Sequence, residues 1–166
     1  MTYRIEPLDL DGSRQAFCSG CEPLDRYFLE QVGQDVRRSV TACFTAKDSD
    51  GNLVGYYTLA SYSILMNELP AGLAKKLPRY PTVPAVLLGR LAIQKQAQGI
   101  GLGGILLMDA MKKCVESEIA AYALVVDAID ENASRFYLHY GFLPFPSRPD
   151  RFFLPLATAR QLIGSM

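Results

Sequence analysis

The chain has 166 residues, 49% of them apolar and 20% charged, and its 17 basic residues are matched by 17 acidic ones. Those are globular proportions with enough chain for one buried core, and no run approaches the roughly 18 uninterrupted apolar residues of a membrane helix. The even charge balance and a pI near 6.6 exclude capture of an anionic macromolecule by the field of the whole chain, so any such partner needs a local patch.

The opening MTYRIEPLDLDG has acidic residues and none of the apolar core of a secretory signal, which points to a cytoplasmic protein with no membrane association. A single domain over residues 1–166 is expected. Tyr3 to Leu8 suits a short first strand. From Pro23 to about Arg38, Leu24, Tyr27, Phe28, Val32 and Val36 recur near helical spacing, the pattern of an amphipathic helix whose middle Gly33 weakens, whether as one helix or two. VTACFTAKD and NLVGYYTLASYSIL are β-rich and are joined by the turn cluster Asp48 to Asn52, the signature of an antiparallel hairpin. GLAKKLPR, residues 72–79, reads as a short helix closed by prolines at 78, 81 and 84. AVLLGRLAI is a buried strand, the glycine stretch after it opens a helix to about Ser117, and AYALVVD is another strand. A helix over Glu131 to Tyr140, a strand near Phe142 and a last strand over Phe152 to Leu156 complete the chain. The order is mixed α and β, with antiparallel strands first and one strand–helix–strand unit late.

Two motifs invite chemistry. Cys18-Ser-Gly-Cys21 has the spacing of half a zinc site or of a redox pair. A structural zinc needs four ligands, yet only Cys43, Cys114 and the lone His139 remain and no second close pair exists, so no metal is expected. A redox pair belongs at a strand-to-helix junction within a βαβ unit, whereas this one precedes EPLDRYF near the N-terminus. Reduced, partly buried thiols are the simpler expectation.

The second motif is QAQGIGLGG, residues 96–104, where Gly99, Gly101 and Gly104 fit G-x-G-x-x-G. A dinucleotide fold is one reading, with Asp127 in the place of a ribose-binding acid. Against it, QKQAQ separates the strand from the first glycine, and too little chain follows Asp127 for further βαβ units. What remains is a helix start with several unpaired N–H groups after a flexible arch, suited to a pyrophosphate. A glycine-rich turn that only lets helix and sheet pack closely is the plainer alternative.

LGRLAIQKQAQGIGLGGILLMDAM resembles the central motif of the GCN5-related N-acetyltransferases (GNAT), whose Q/R-x-x-G-x-G/A falls on Gln96, Gly99 and Gly101. ENASRFYLHYGF, residues 131–142, is similar to that superfamily's second signature. The resemblance implies an α/β (α+β) fold with a mixed, mostly antiparallel central sheet, splayed in the middle and flanked by helices on both faces. It implies acetyl-CoA as cofactor, with the backbone of Leu91, Ala92 and Ile93 along pantetheine and amides from Gln98 through Gly99, Ile100, Gly101, Leu102, Gly103 and Gly104 on the pyrophosphate. Asn132 and Tyr137 would approach the thioester.

That assignment is chemically coherent. Pantetheine carries two amides, which an unpaired strand edge near Ile93 can bind as an added strand. Amine attack on a thioester builds charge first on the carbonyl oxygen, where a strand N–H can stabilise it, and then on sulfur. The departing sulfur needs a proton, and Tyr137 is the candidate donor, although with reference values of about 10 for tyrosine and about 8.5 for a thiol the transfer is uphill unless proximity compensates. Tyr140 and His139 are weaker candidates. Asp127 or Glu131 acting through water is less favoured than a solvated strand end or a helix cap.

Residues 17–64, together with LLGRLAI, further resemble the GNAT toxins of bacterial toxin–antitoxin operons. This implies acetylation of the amino group of aminoacyl-tRNA, a homodimer and a ribbon-helix-helix antitoxin; the alternative acceptor is a small-molecule amine or a protein N-terminus. An α-amine with a reference pKa near 8 is partly deprotonated at neutrality, so no strong base is required. For RNA, Arg26 and Arg37 lie three turns apart and would share a face of a continuous helix, Arg38 is adjacent, and Lys75, Lys76 and Arg79 form a second cluster. Glu30, one turn from Arg26, would neutralise it in part.

Overall fold

The computed structural model describes residues 2–165. Strands β1 (Arg4–Pro7), β2 (Ala42–Lys47), β3 (Leu53–Leu65), β4 (Thr82–Ile93), β5 (Ala123–Asp127), β6 (Leu143–Phe145) and β7 (Arg148–Pro155) form a seven-stranded sheet ordered β1-β2-β3-β4-β5-β7-β6. The DSDGN turn closes the β2–β3 hairpin, with Asp48 Oδ1 accepting the N–H groups of Asp50 and Asn52. Among the described residues β1–β2, β2–β3, β5–β7 and β6–β7 pair antiparallel, β4 and β5 run parallel, and the crossover that the parallel pair requires is the helix α4 (Leu102–Glu116).

Two compact units make up the chain: Met1–Ala60 with Gly89–Ala110, and Ser61–Leu88 with Met111–Met166. Strands β3 and β4 and helix α4 each run from one unit into the other. The first unit has an aromatic core in which Phe28 stacks on Tyr56 at 4.3 Å and Phe17 meets Tyr56 edge-on, with Val32, Cys43 and Ala92 around them. The second buries Ile64, Val83, Ala85, Ala123, Val125, Phe145 and Phe153. Along β5, Ala123 to Val126 are all buried, the pattern of a strand covered on both faces.

Several expected elements differ in detail. Residues 22–37 are helical, and the irregularity falls just ahead of Gly33: α1 (Glu22–Arg26) passes through a π-helical turn (Tyr27–Gln31) into α2 (Val32–Arg37). The π turn inserts about one extra residue. Arg26 and Arg37 are thereby rotated by roughly a quarter turn from the common face expected of an unbroken α-helix. Helix α3 (Ala71–Ala74) is shorter than the expected 72–79, because Pro78 disfavours helical backbone at Leu77. Pro84 lies inside β4 and its carbonyl accepts the Tyr122 N–H, so it does not close the preceding segment. Helix α5 (Glu131–His139) matches its expectation closely, whereas α6 (Leu156–Gly164) was not anticipated, although Leu156 and Ala159 are buried at helical spacing. No helix among the described residues is long and apolar enough to cross a membrane.

Candidate active site

Strand β4 changes partners along its length. Ala85 to Leu88 pair with Ala123 to Val126 of β5, and that ladder ends at Leu88, before β4 itself ends at Ile93. The buried positions of β4 change from odd (83, 85) to even (88, 92), a one-residue slip of the kind a bulge produces. Beyond Leu88, β3 still lies on one side. The Gln94 N–H donates to the Val54 carbonyl at 2.8 Å, and the Ala92 carbonyl faces Gly55. Since successive residues of a strand direct their backbone groups to opposite edges, Ile93 turns its own away from β3, and its carbonyl instead accepts Gln98 Nε2 at 2.9 Å.

The arch after β4 is braced from the N-terminal segment. Gln98 Nε2 also donates to the Ser19 carbonyl (2.7 Å), the Cys18 N–H donates to Gln94 Oε1 (2.7 Å), and the Lys95 N–H donates to the Cys18 carbonyl (2.8 Å). Asp25 Oδ1 accepts both the N–H and the hydroxyl of Ser19, which fixes the loop from the α1 side. The C-x-x-C segment therefore serves as a buttress. Its thiols are free, Cys18 exposed and Cys21 half-buried, and no group of three or more His, Cys, Asp or Glu among the described residues is placed to hold a metal ion. Gln94, Cys18 and Ser19 were not anticipated here, because backbone bridges between distant segments leave no pattern in a sequence.

Gly99 and Gly101 have φ of +81° and +89°, in the left-handed region that favours glycine, and a Cβ on either would meet nothing within 4 Å. Their glycines serve backbone shape and access, not tight helix–sheet packing. The Gln98 N–H is directed into a turn, toward the Lys95 carbonyl at 3.4 Å. The first bond into α4 is from the Ile105 N–H to the Gly101 carbonyl, so Leu102, Gly103 and Gly104 have N–H groups with no acceptor inside the helix. Ile100 is exposed, and exposed Gln96 accepts from Gln94 Nε2.

Tyr137, in the second unit, is 7% exposed on α5 and packs edge-on against Phe136 and at a tilt against Phe142. Burial, and secondly the charge of Asp127, push its phenol above the ordinary tyrosine range. Asn132 is exposed and its Oδ1 accepts from Arg135. Asp127 is engaged by Arg151 through two hydrogen bonds of 2.7 and 2.8 Å, and Arg151 also donates to the Tyr62 hydroxyl. The cap of α5 is Asp130, whose Oδ1 accepts the Ala133 N–H, while Glu131 pairs with Arg135. His139 is exposed beside Tyr140. Arg26 pairs with Glu22, not with Glu30. Arg37, Arg38, Lys75, Lys76 and Arg79 are exposed.

A strand edge released from its ladder, an arch with two left-handed glycines and a helix start with orphan N–H groups define an acyltransferase of the acetyl-CoA type. The acetyltransferase (GNAT) domain family matches residues 24–151, and the chain belongs to it. A tRNA-acetylating toxin of Mycobacterium tuberculosis (strain ATCC 25618 / H37Rv) is 36% identical over 151 residues, which cover 90% of this chain and 89% of that protein. The solved structure of AtaT complexed with acetyl-methionyl-tRNAfMet has a TM-score of 0.88 and 29% identity, covering 98% of this chain and 99% of that one. A Tyr-to-Phe variant of AtaT, bound to the C-terminus of the antitoxin AtaR and to acetyl-CoA, has a TM-score of 0.82 and 25% identity over 99% of each chain.

Proposed function

We propose that this chain acts as one acetyltransferase domain that transfers acetyl from acetyl-CoA to the amino group of aminoacyl-tRNA, and is thereby the translation-inhibiting toxin of a toxin–antitoxin pair. The observation that carries this is the near full-length match to a tRNA-acetylating toxin, together with the released edge of β4 that runs into the glycine arch. Acetyl-CoA, when bound, supplies an acetyl group activated as a thioester.

In this reading the backbone of Leu91 and Ile93 aligns the pantetheine amides, with Ala92 facing β3 and fixing the strand beneath them. The N–H groups of Gly99 to Gly104 hold the pyrophosphate, flanked by Gln96, and a β4 N–H stabilises the carbonyl oxygen. Asn132 and Tyr137 serve the thioester end. Its raised pKa keeps the Tyr137 hydroxyl protonated throughout the physiological range, so it donates a hydrogen bond to the departing sulfur. A thiolate in the same dry setting is also more basic than in water, which reduces the uphill step. No base is assigned. Asp127 and Glu131 are held by Arg151 and Arg135, and an α-amine near its reference value of about 8 needs little help. The exposed Arg37, Arg38, Lys75, Lys76 and Arg79 contribute to holding RNA. The protein works as a cytoplasmic homodimer, neutralised by a ribbon-helix-helix antitoxin.

The test is transfer of radiolabelled acetyl from acetyl-CoA to bulk aminoacylated tRNA by the purified protein. Label in the aminoacyl-RNA, lost after deacylation, is expected. Label absent there but present on small amines or protein N-termini would replace the RNA acceptor with the alternative one.

A further inference from the structure

A neutral chain that handles RNA must concentrate cations locally, and one arginine stands apart from the clusters visible in the sequence. Arg90 is half-buried on β4, just past the last residue pair of the β4–β5 ladder and next to Leu91 of the acyl-carrying edge. Its guanidinium lies over the Tyr27 ring with Cζ only 3.4 Å from the centroid. A guanidinium stacked in this way keeps its five N–H donors directed outward in its own plane. None of them meets a hydrogen-bond acceptor or ion-pair partner among the described residues.

The platform beneath it is built by the π turn. In an unbroken α-helix a residue eight positions on stands about 80° around the axis. The extra residue of the π turn brings Asp35 back under Tyr27, whose hydroxyl donates to Asp35 Oδ2 at 2.8 Å while Gln31 Nε2 donates to Oδ1 at 3.0 Å. Those two bonds are the main reasons the Asp35 carboxyl lies below its ordinary range, with the charges of Arg90 and Arg38 adding to them. Each carboxylate oxygen of Asp35 already accepts one bond, from Tyr27 or Gln31, and exposed Arg38 follows three residues on. Of the other acids on this stretch, Asp25 is bonded to Ser19 and Glu22 to Arg26, and Glu30 is exposed. The result is a rigid aromatic shelf that holds one guanidinium flat with its fork open, and a second cation beside the same acid.

We propose that Arg90, laid on Tyr27 and assisted by Arg38, holds a phosphate of the RNA end that carries the aminoacyl group. A planar fork matches two phosphate oxygens, and charge-assisted bonds of this kind are the strong ones. Residue 90 adjoins Leu91, so the grip acts beside the edge assigned to the thioester arm and positions the amine through the RNA backbone. This rests on the aminoacyl-tRNA reading above.

The experiment compares two acceptors with the same amine, aminoacyl-tRNA and the corresponding aminoacyl ester of adenosine, which has no phosphate. For Arg90→Gln, the ratio of kcat/KM on tRNA to that on the ester falls about tenfold or more, chiefly through KM, and the slope of log KM against log salt decreases by about 0.7, the value of one lost single-strand phosphate contact. Arg90→Lys retains the salt slope and loses several-fold in KM, because an ammonium neither stacks nor forks; this variant keeps the test open should Arg90→Gln fold poorly. Equal losses on both acceptors would assign Arg90 to the amino acid or to the fold and overturn the phosphate contact. A wild-type protein that labels aminoacyl-tRNA and is matched by Arg90→Gln would overturn the Arg90 assignment alone. A wild-type protein that labels no aminoacyl-tRNA would overturn the functional reading as well.

Discussion

Along β4, Ala85 to Leu88 pair residue by residue with β5, whereas Gly89 to Ile93 run on with β3 on one side alone. Both halves are mostly apolar, and side-chain chemistry hardly separates them. The difference lies in the backbone: the first half spends its N–H and C=O groups on the sheet, while alternate groups of the second remain for a ligand that can mimic a strand. One strand thus contains a segment closed into the sheet on the β5 side and, in series with it, the segment to which the proposed function assigns the cofactor.

That contrast can be broken by experiment. In the paired half, Leu88 is 2% exposed, and Leu88→Ala is expected to cost about 2–5 kcal/mol in chemical denaturation while the folded protein binds acetyl-CoA as before. Weakened cofactor binding at full stability would erase the division between the halves. Tyr137→Phe tests the proposed proton donor. It removes a buried hydroxyl and should lower kcat about a hundredfold, about 2.7 kcal/mol, with acetyl-CoA binding by calorimetry retained.

Two proline substitutions sharpen the comparison within the open half itself. Ile93→Pro removes a donor directed away from β3 and should raise KM for acetyl-CoA about tenfold, the size of one net hydrogen bond of about 1.4 kcal/mol. Ala92→Pro removes a donor facing β3 and should lower the melting temperature more than Ile93→Pro does. The reverse order would show that the edges are assigned the wrong way round. The smallest expected effect is the lack of a decline with pH. The amine loses its proton near pH 8, so turnover rises to about that value; because the Tyr137 phenol is raised above about 10, its acid form persists and no fall sets in between pH 8.5 and 10. A decline centred near pH 9 would point to a different proton donor.

The backbone shape of the candidate site was legible in the sequence because it is local. Gln96 to Gly104 form one continuous arch, and glycine is written wherever the backbone must turn left-handed, as at Gly99 and Gly101. The proposal for Tyr137 rests on its place in FYLHYGF, to which the structure adds that the side chain is buried. The phase of the first helix was not legible, since the π turn arises where Tyr27 and Phe28 pack into the aromatic core and Tyr27 reaches Asp35, contacts that override helical regularity. Asp127 was read as an open strand end, yet it is bonded to Arg151, its cross-strand partner, far along the chain. The role of Cys18 and Ser19 in bracing the arch was hidden for the same reason.

By itself the sequence determined the apolar periods, the turn chemistry of DSDGN and the glycine arch, and through the resemblance of that arch and of ENASRFYLHYGF to the GNAT motifs it implied the acetyltransferase class, because each depends on residues within a few positions of one another. Tertiary structure alone decided where the β4–β5 ladder stops, which edge of β4 is free, and which charges are already paired. Those outcomes depend on distant backbone and side-chain groups competing for a limited number of hydrogen-bond partners, and that competition is resolved only when the strands are brought together.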